Sequence, residues 1–285
     1  MMTGKLIIPM ITPFRENHLD REALDAFARY AADNRFSGLF AGSSTGGMAS
    51  LSFEQHQEFL QWAIESNQGL DMFAGITRSS LVETLDMGKI AADLGYKKLV
   101  AINPYYHKYS QESITRFYDS ILDAFDLDVY AYNNPSLSGT EILPETVVRI
   151  RTEHDNLKGI KDSGNNLEKF SDFLKIPGLE VFQGKDALLL DSLKMGAYGG
   201  VCSSSNFCLN TLKIAQGSRD AASLQEKTVR LMALIAKYET PGIQNYLFRK
   251  LIMKEKSPRH YVNMPFGDIT GPPSDEQILD LVVLK

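Results

Sequence analysis

Eight short runs of apolar, β-branched or aromatic residues recur over about the first 215 residues, with amphipathic segments of helical spacing between them. They are Leu6–Ile11, Gly38–Ala41, Met72–Ile76, Lys98–Ile102, Val129–Tyr132, Gly159–Lys161, Val181–Gly184 and Gly199–Ser203. Such alternation is the signature of strands that take turns with helices. Helix signals fall in the gaps. Leu24, Phe27 and Ala31 recur at i, i+3 and i+7, Ser52–Gln55 and Ser80–Glu83 read as capping boxes, and Pro144 with Glu145 suits a first turn. Eight βα units in this length close an α/β (β/α)8 TIM barrel; a doubly wound open sheet usually needs fewer strands and an early glycine-rich phosphate loop.

Beyond Ala215 only helical patterns remain, over Ser218–Tyr238, Gly242–Lys254 and Ser274–Leu284, separated by Thr240-Pro241-Gly242 and a loop from Pro258 to Pro273. Residues 1–215 are therefore expected to form the catalytic barrel. Residues 216–285 form a C-terminal helical extension packed on its flank or on another subunit, the whole making one structural unit. Thirty basic and thirty-five acidic residues, the latter dispersed, give a net charge of −5, which argues against nucleic acid or an anionic membrane as partner. No stretch reaches the apolar length of a membrane span, and the run from Leu6 is broken by Pro9 and Pro13, unlike a signal peptide. The two cysteines, Cys202 and Cys208, are not a CxxC pair; no structural disulfide is expected, and a reducing cytoplasm suits the chain.

In such a barrel, reactive groups sit at the carboxyl ends of the strands. Leu157–Gly164 reads as a short strand ending in a polar turn, with Lys161 at the junction. A lysine there can snorkel to solvent. If instead it is buried, the cost of desolvating an ammonium favours the neutral amine, a nucleophile toward ketones. The preceding strand ends in Tyr132-Asn133-Asn134-Pro135, which would place a phenol at the same end of the sheet. An amine beside a phenol points to Schiff-base chemistry. The Gly42–Gly47 turn is either a tight connection or a nest for a small carboxylate, with Ser44 and Thr45 adding hydroxyls; it lacks the lysine of a phosphate-binding P-loop. Of Tyr105 and Tyr106, one is expected in the core and one at the site. Gly184-Lys185-Asp186 and Val201-Cys202-Ser203 close the series. His56 reads as a helix-face residue, and His107 and His260 as loop residues; with no HxxxH or cysteine–histidine cluster, no metal is expected.

The Gly42–Gly47 turn, Pro104-Tyr105-Tyr106, Tyr132-Asn133-Asn134-Pro135 and Gly159-Ile160-Lys161, in this order and spacing, resemble the class I, pyruvate-dependent aldolases of the dihydrodipicolinate synthase and N-acetylneuraminate lyase superfamily over essentially the whole chain. The resemblance implies a barrel with C-terminal helices, usually assembled as a homotetramer. It implies an imine between Lys161 and pyruvate, proton transfer by Tyr132, and carboxylate binding by Ser44 and Thr45. It further implies a relay completed across a subunit interface by Tyr106, a pyruvate pocket lined by the carbonyl of Val201, and no organic cofactor.

Departures from that pattern narrow the substrate. Dihydrodipicolinate synthases carry an arginine for a substrate carboxylate where this chain has Leu137, in Pro135-Ser136-Leu137-Ser138-Gly139. Neuraminate lyases carry an acidic pair where it has Asp186-Ala187, and both usually have a glutamate where it has Gly47. The remaining resemblance is to 2-keto-3-deoxygluconate aldolases, with Ser163, Gly184, Lys185, Asp186 and Ser203 around the distal part of a sugar acid. The expected reaction is reversible cleavage of 2-keto-3-deoxygluconate to pyruvate and glyceraldehyde. The alternatives are a phosphorylated sugar acid (with Lys108, Lys185 and Arg249 as candidate phosphate contacts), a neuraminate-type lyase, a keto-deoxy sugar acid dehydratase, a dihydrodipicolinate synthase and a non-catalytic binding barrel.

Overall fold

Each of the eight expected runs forms a strand, and all pair in parallel in the computed structural model, which describes residues 3–15, 17–256 and 269–285. They are β1 (Lys5–Pro9), β2 (Gly38–Ala41), β3 (Asp71–Gly75), β4 (Lys98–Ile102), β5 (Asp128–Asn133), β6 (Leu157–Asp162), β7 (Glu180–Gln183) and β8 (Gly199–Val201). Neighbours in sequence are neighbours in the sheet. Ile7 stands opposite both Gly38 of β2 and Val201 of β8, so the sheet closes on itself as a (β/α)8 barrel.

Strand ends differ from expectation where side chains replace the ladder. Past Pro9, the N–H of Ile11 is taken by Asn206 Oδ1 at 3.0 Å, which ends β1 two residues early. β8 stops at Val201, and the next turn is held by Asp186, which accepts from the N–H groups of Ser203 and Ser204.

Alternation along the strands divides the core in two. Outward residues such as Ile8, Leu39, Leu99, Val129, Ile160 and Val181 pack under the helices. Ile7, Phe40, Phe73, Val100, Tyr130, Tyr132 and Phe182 fill the interior. Full burial of such side chains contributes roughly 1.5–3 kcal/mol each. The helices bear out their signals: α1 (Arg21–Asp33) buries Leu24, Phe27 and Ala31, and α2 (Phe53–Glu65) starts with both halves of the Ser52–Gln55 capping box. In α3 (Leu81–Asp93), Ser80 caps the Glu83 N–H without the reciprocal bond, so the motif there is a simple N-cap.

One irregularity sets which way β6 faces. Val129 and Tyr130 are adjacent on β5, yet they stand opposite Leu157 and Gly159, leaving Lys158 as an extra residue. Side chains alternate with period two, so a shift of one residue exchanges the two faces of a strand. The bulge brings Gly159 and Lys161 into phase with Tyr130 and Tyr132, on the inside of the barrel.

The C-terminal region is helical as expected, but its helices are shorter: α9 (Ala221–Ile235), α10 (Gly242–Leu251) and α11 (Asp275–Leu279), numbered after α4 (Gln111–Ala124), α5 (Pro144–Glu153), α6 (Leu167–Leu174), α7 (Leu189–Lys194) and α8 (Asn210–Ala215). After α11 the chain pairs with the segment before α8 through the Leu209 N–H to Val283 carbonyl bond, 2.7 Å, which ends the helix early. The helices share an apolar cluster with Phe207 and Cys208, and Arg249 of α10 donates to Asp20, the N-cap of α1, at 2.7 Å. Most of the Pro258–Pro273 loop, with His260, lies outside the described residues. Among the described residues, no helix is long and apolar enough to cross a membrane.

Candidate active site

Lys161 is buried, 5 % exposed, at the end of β6. It does not snorkel. Its Nζ stands 4.0 Å from the centroid of the Tyr132 ring, on the adjoining strand, and 5.4 Å from that of Phe40. The Tyr132 hydroxyl accepts from Asn134 Nδ2 at 2.8 Å and from Ser44 Oγ at 3.3 Å. Burial alone would raise the Tyr132 pKa; the Lys161 charge and the donors Ser44, Asn134 and Lys161 more than offset it, holding the phenol below its usual range.

Hydrogen bonds between strand ends fix this pair. Asn133 donates to Asp162 at 2.6 Å, the Ser163 N–H to the Asn133 carbonyl at 2.8 Å, and the Gly184 N–H to the Asp162 carbonyl at 2.7 Å. Burial pushes the Asp162 carboxyl up, only partly offset by donation from Asn133 and the Gly164 N–H. Gly184 is a close approach: a Cβ there would stand 2.1 Å from Ser163 Oγ and 3.1 Å from Lys161 Cε. The Ser44–Gly46 turn is capped by Ser43, whose hydroxyl also donates to the Met10 carbonyl at 3.1 Å. Behind it, His56 is fully buried against Gly42, and burial, with the nearby Arg78 charge, lowers its pKa to about 4.

Above the pair opens a chamber of about 420 Å³. It gathers Ser44, Thr45, Tyr132, Lys161, Ser163, Gly184, Lys185, Asp186, Val201 and Ser203, all candidates from sequence. Tyr106 is not among them: its ring is 90 % exposed, against His107, on a backbone of φ 79°. Tyr105 turns inward instead. It is half-buried against the barrel interior and lines a second recess of about 210 Å³, which shares Ser44, Leu137 and Thr240 with the chamber. Asp186 has a structural task, since its oxygens accept from the N–H groups of Ser203 and Ser204 and the Ser203 hydroxyl. Arg249, a candidate phosphate contact, is buried and paired with Asp20 and Glu255, which removes it from that role.

Sequence reading missed Asn134, Asn165, Met232, Thr240 and Gln244 on the chamber wall. Asn134 stood within a recognised motif and was assigned nothing. The last three belong to the C-terminal helices and their loops, which therefore help to wall the site as well as flank the barrel. Among the described residues, no three His, Cys, Asp or Glu side chains gather as metal ligands would.

Comparison with known proteins agrees with this geometry. The "4-hydroxy-tetrahydrodipicolinate synthase" of a Hydrogenobaculum species is 33 % identical over 215 residues, 75 % of this chain and 74 % of that protein. The "2-dehydro-3-deoxy-D-gluconate/2-dehydro-3-deoxy-phosphogluconate aldolase" of Picrophilus torridus is 32 % identical over 250 residues, 85 % of this chain and 93 % of that protein. A solved structure of "2-keto 3-deoxygluconate aldolase from Picrophilus torridus" superposes with a TM-score of 0.81 at 31 % identity, covering 88 % of this chain and 93 % of that one. A profile of the Dihydrodipicolinate synthetase family matches residues 2–267. A buried lysine beside a phenol at the carboxyl ends of the barrel strands thus coincides with a family match over nearly the whole sequence, and the chain belongs to the dihydrodipicolinate synthetase family.

Proposed function

We propose that this chain is a Schiff-base (class I) aldolase that reversibly cleaves 2-keto-3-deoxygluconate to pyruvate and glyceraldehyde. The observation that carries this reading is the Lys161 amine buried 4.0 Å over the Tyr132 ring at the chamber floor. Lys161 Nζ attacks the C2 ketone, and loss of water gives a protonated imine. Tyr132 takes the proton of the C4 hydroxyl as the C3–C4 bond breaks, and the bonding pair moves into the imine to leave an enamine. Protonation at C3 and hydrolysis release pyruvate and return the free amine. The hydroxyls of Ser44 and Thr45 bind the pyruvate carboxylate, and Val201 also lines the chamber.

Leu137 on the rim favours this substrate over one with a second carboxylate, because an alkyl side chain cannot pair with an anion. Ser163, Lys185, Ser203 and Gln244 offer a polyol its partners, and the Picrophilus relative carries the matching name over nearly its full length. Lys185 on the wall favours a second reading, in which the phosphorylated sugar acid is also cleaved. For the exposed Tyr106 we propose the relay role in a partner's site within a homotetramer; sedimentation should give four chains, and Tyr106→Phe should slow turnover.

Borohydride reduction with pyruvate should add one pyruvate-derived mass to the peptide containing Lys161. Label on Lys158, or none, would overturn the mechanism. Pyruvate release from a panel of sugar acids, with and without phosphate, then identifies the substrate.

A further inference from the structure

Asn134 has no task in the reaction above, yet its side chain is not used as its position would suggest. It is the N-cap of the one-turn helix Pro135–Ser138, where an asparagine oxygen ordinarily accepts from a free backbone N–H of the first turn. Here the side chain makes no capping bond. Its Nδ2 donates instead to the Tyr132 hydroxyl at 2.8 Å, while its Oδ1 accepts from Ser136 Oγ at 2.7 Å. The backbone is held on both sides: the Asn134 carbonyl accepts from the Leu137 and Ser138 N–H groups, and Asn133 is tied to Asp162 and to the Ile142 N–H. Asn134 is buried on the chamber wall.

The two uncharged neighbours of the Tyr132 oxygen differ in what they can do with a proton. The Ser44 hydroxyl can both give and accept, so a proton can pass through it. The Asn134 amide N–H only donates a hydrogen bond, so it closes its side of the oxygen. In the same interior cluster stand Phe40, Ile102 and the half-buried Tyr105 phenol. The charged groups of the chamber wall are Lys161, over the ring, Lys185, and Asp186, whose oxygens are taken up by Ser203 and Ser204. We infer that Asn134 is a positioning residue that holds the Tyr132 oxygen as the proton acceptor for the C4 hydroxyl. The inference rests on the Schiff-base reading for the identity of that proton. In the step, the C4 hydroxyl proton passes to the Tyr132 oxygen and the C3–C4 pair to the imine, while Asn134 keeps both of its own protons. Burial opposes ionisation of Tyr132, and the Lys161 charge with donation from Ser44 and Asn134 outweighs it.

Two variants test this in the full-length enzyme. Asn134→Val removes the donor and leaves the exposed Ser136 to water. Asn134→Asp keeps the shape, replaces the donor by an acceptor and adds negative charge. Ultraviolet titration reads Tyr132 as the difference between each protein and the same protein carrying Tyr132→Phe. A hydrogen bond to a charged group is strong enough that ionisation should move up by about one pH unit or more in Asn134→Val, and further in Asn134→Asp. Below the moved limb, kcat for 2-keto-3-deoxygluconate should fall at least about tenfold; above it, kcat should recover toward the wild-type value. KM should change little, and borohydride with pyruvate should still label Lys161. A Tyr132 titration that stays in place in both variants, or a loss of kcat of equal size at every pH, would overturn the inference. So would a downward move in Asn134→Val, which would mean that the amide accepts from the phenol. An upward move without a label on Lys161 in the wild type would instead remove the Schiff-base reading and leave the hold on the phenol standing.

Discussion

At the floor of the chamber, Tyr132 accepts from Ser44 and Asn134, and a lattice of bonds through Asn133, Asp162, Ser163 and Gly184 locks three neighbouring strand ends together. At the rim, Leu137 is 58 % exposed, Asn165 and Thr240 are exposed, and Met232 and Gln244 arrive from helices after the barrel has closed. The floor inherits the rigidity of the sheet, because Tyr132 and Lys161 lie in strands and Asn134, Ser163 and Gly184 each follow a strand's last residue. The rim is assembled from segments that other segments hold in place. In the proposed reaction, bond-making falls to the first kind of construction and choice of substrate to the second, so changes at the floor should act on kcat and changes at the rim on KM.

The largest effect should come from Lys161→Arg, which keeps the charge and removes the nucleophile, since a guanidinium stays protonated. Turnover and borohydride labelling should both disappear; residual cleavage with a reducible adduct would break the assignment. Tyr132→Phe should cost about 10²–10⁴-fold in kcat while labelling with pyruvate persists, more slowly. In the wild type, the activity limb that reports the phenol should lie below the usual phenol range, and it should vanish in this variant.

His56 tests the support behind the floor. Its pKa falls from the ordinary 6.5 to about 4 because it is buried, so between these values the unfolded chain binds a proton that the native one refuses. Stability is retained above pH 6.5 and declines as pH falls toward 4, by about 3 kcal/mol. Urea midpoints across this range should decline less steeply in His56→Gln, and parallel slopes would remove His56 from the account. Gly184→Ala places a methyl against Ser163 and Lys161, and displacement of the reacting amine should cost roughly 10²-fold in kcat. The smallest effect belongs to the rim: Ser203→Ala removes one partly exposed hydroxyl, worth roughly 0.5–1.5 kcal/mol, and should raise KM by several-fold with kcat nearly unchanged.

The same contrast decides what the sequence disclosed. Strand periodicity and helix caps are local, so all eight strands were legible, as were Lys161 and Tyr132, which end two of them. Strand limits were less so, because the bonds that end β1 and β8 come from Asn206 and Asp186, at other places in the chain. Thr240 and Gln244 gave no sign of reaching the chamber, since their place depends on how α10 docks through Arg249 on Asp20, across 229 residues. Arg249 itself reads as a surface cation until its partner is known. Tyr106 and Tyr105 are adjacent in a loop, where no periodicity says which ring turns inward.

The extra residue in β6 gives the gene a spare codon. Deleting Lys158 would remove the bulge and let the ladder close one to one, with Leu157 still opposite Val129, Gly159 opposite Tyr130 and Lys161 opposite Tyr132. A genetic screen limited to substitutions would class position 158 as tolerant, because its side chain only reaches back to the Asp155 carbonyl. A screen that includes single-codon deletions should find 158 tolerant as well, because the phase of Gly159 and Lys161 against Tyr130 and Tyr132 survives the loss of the residue between them.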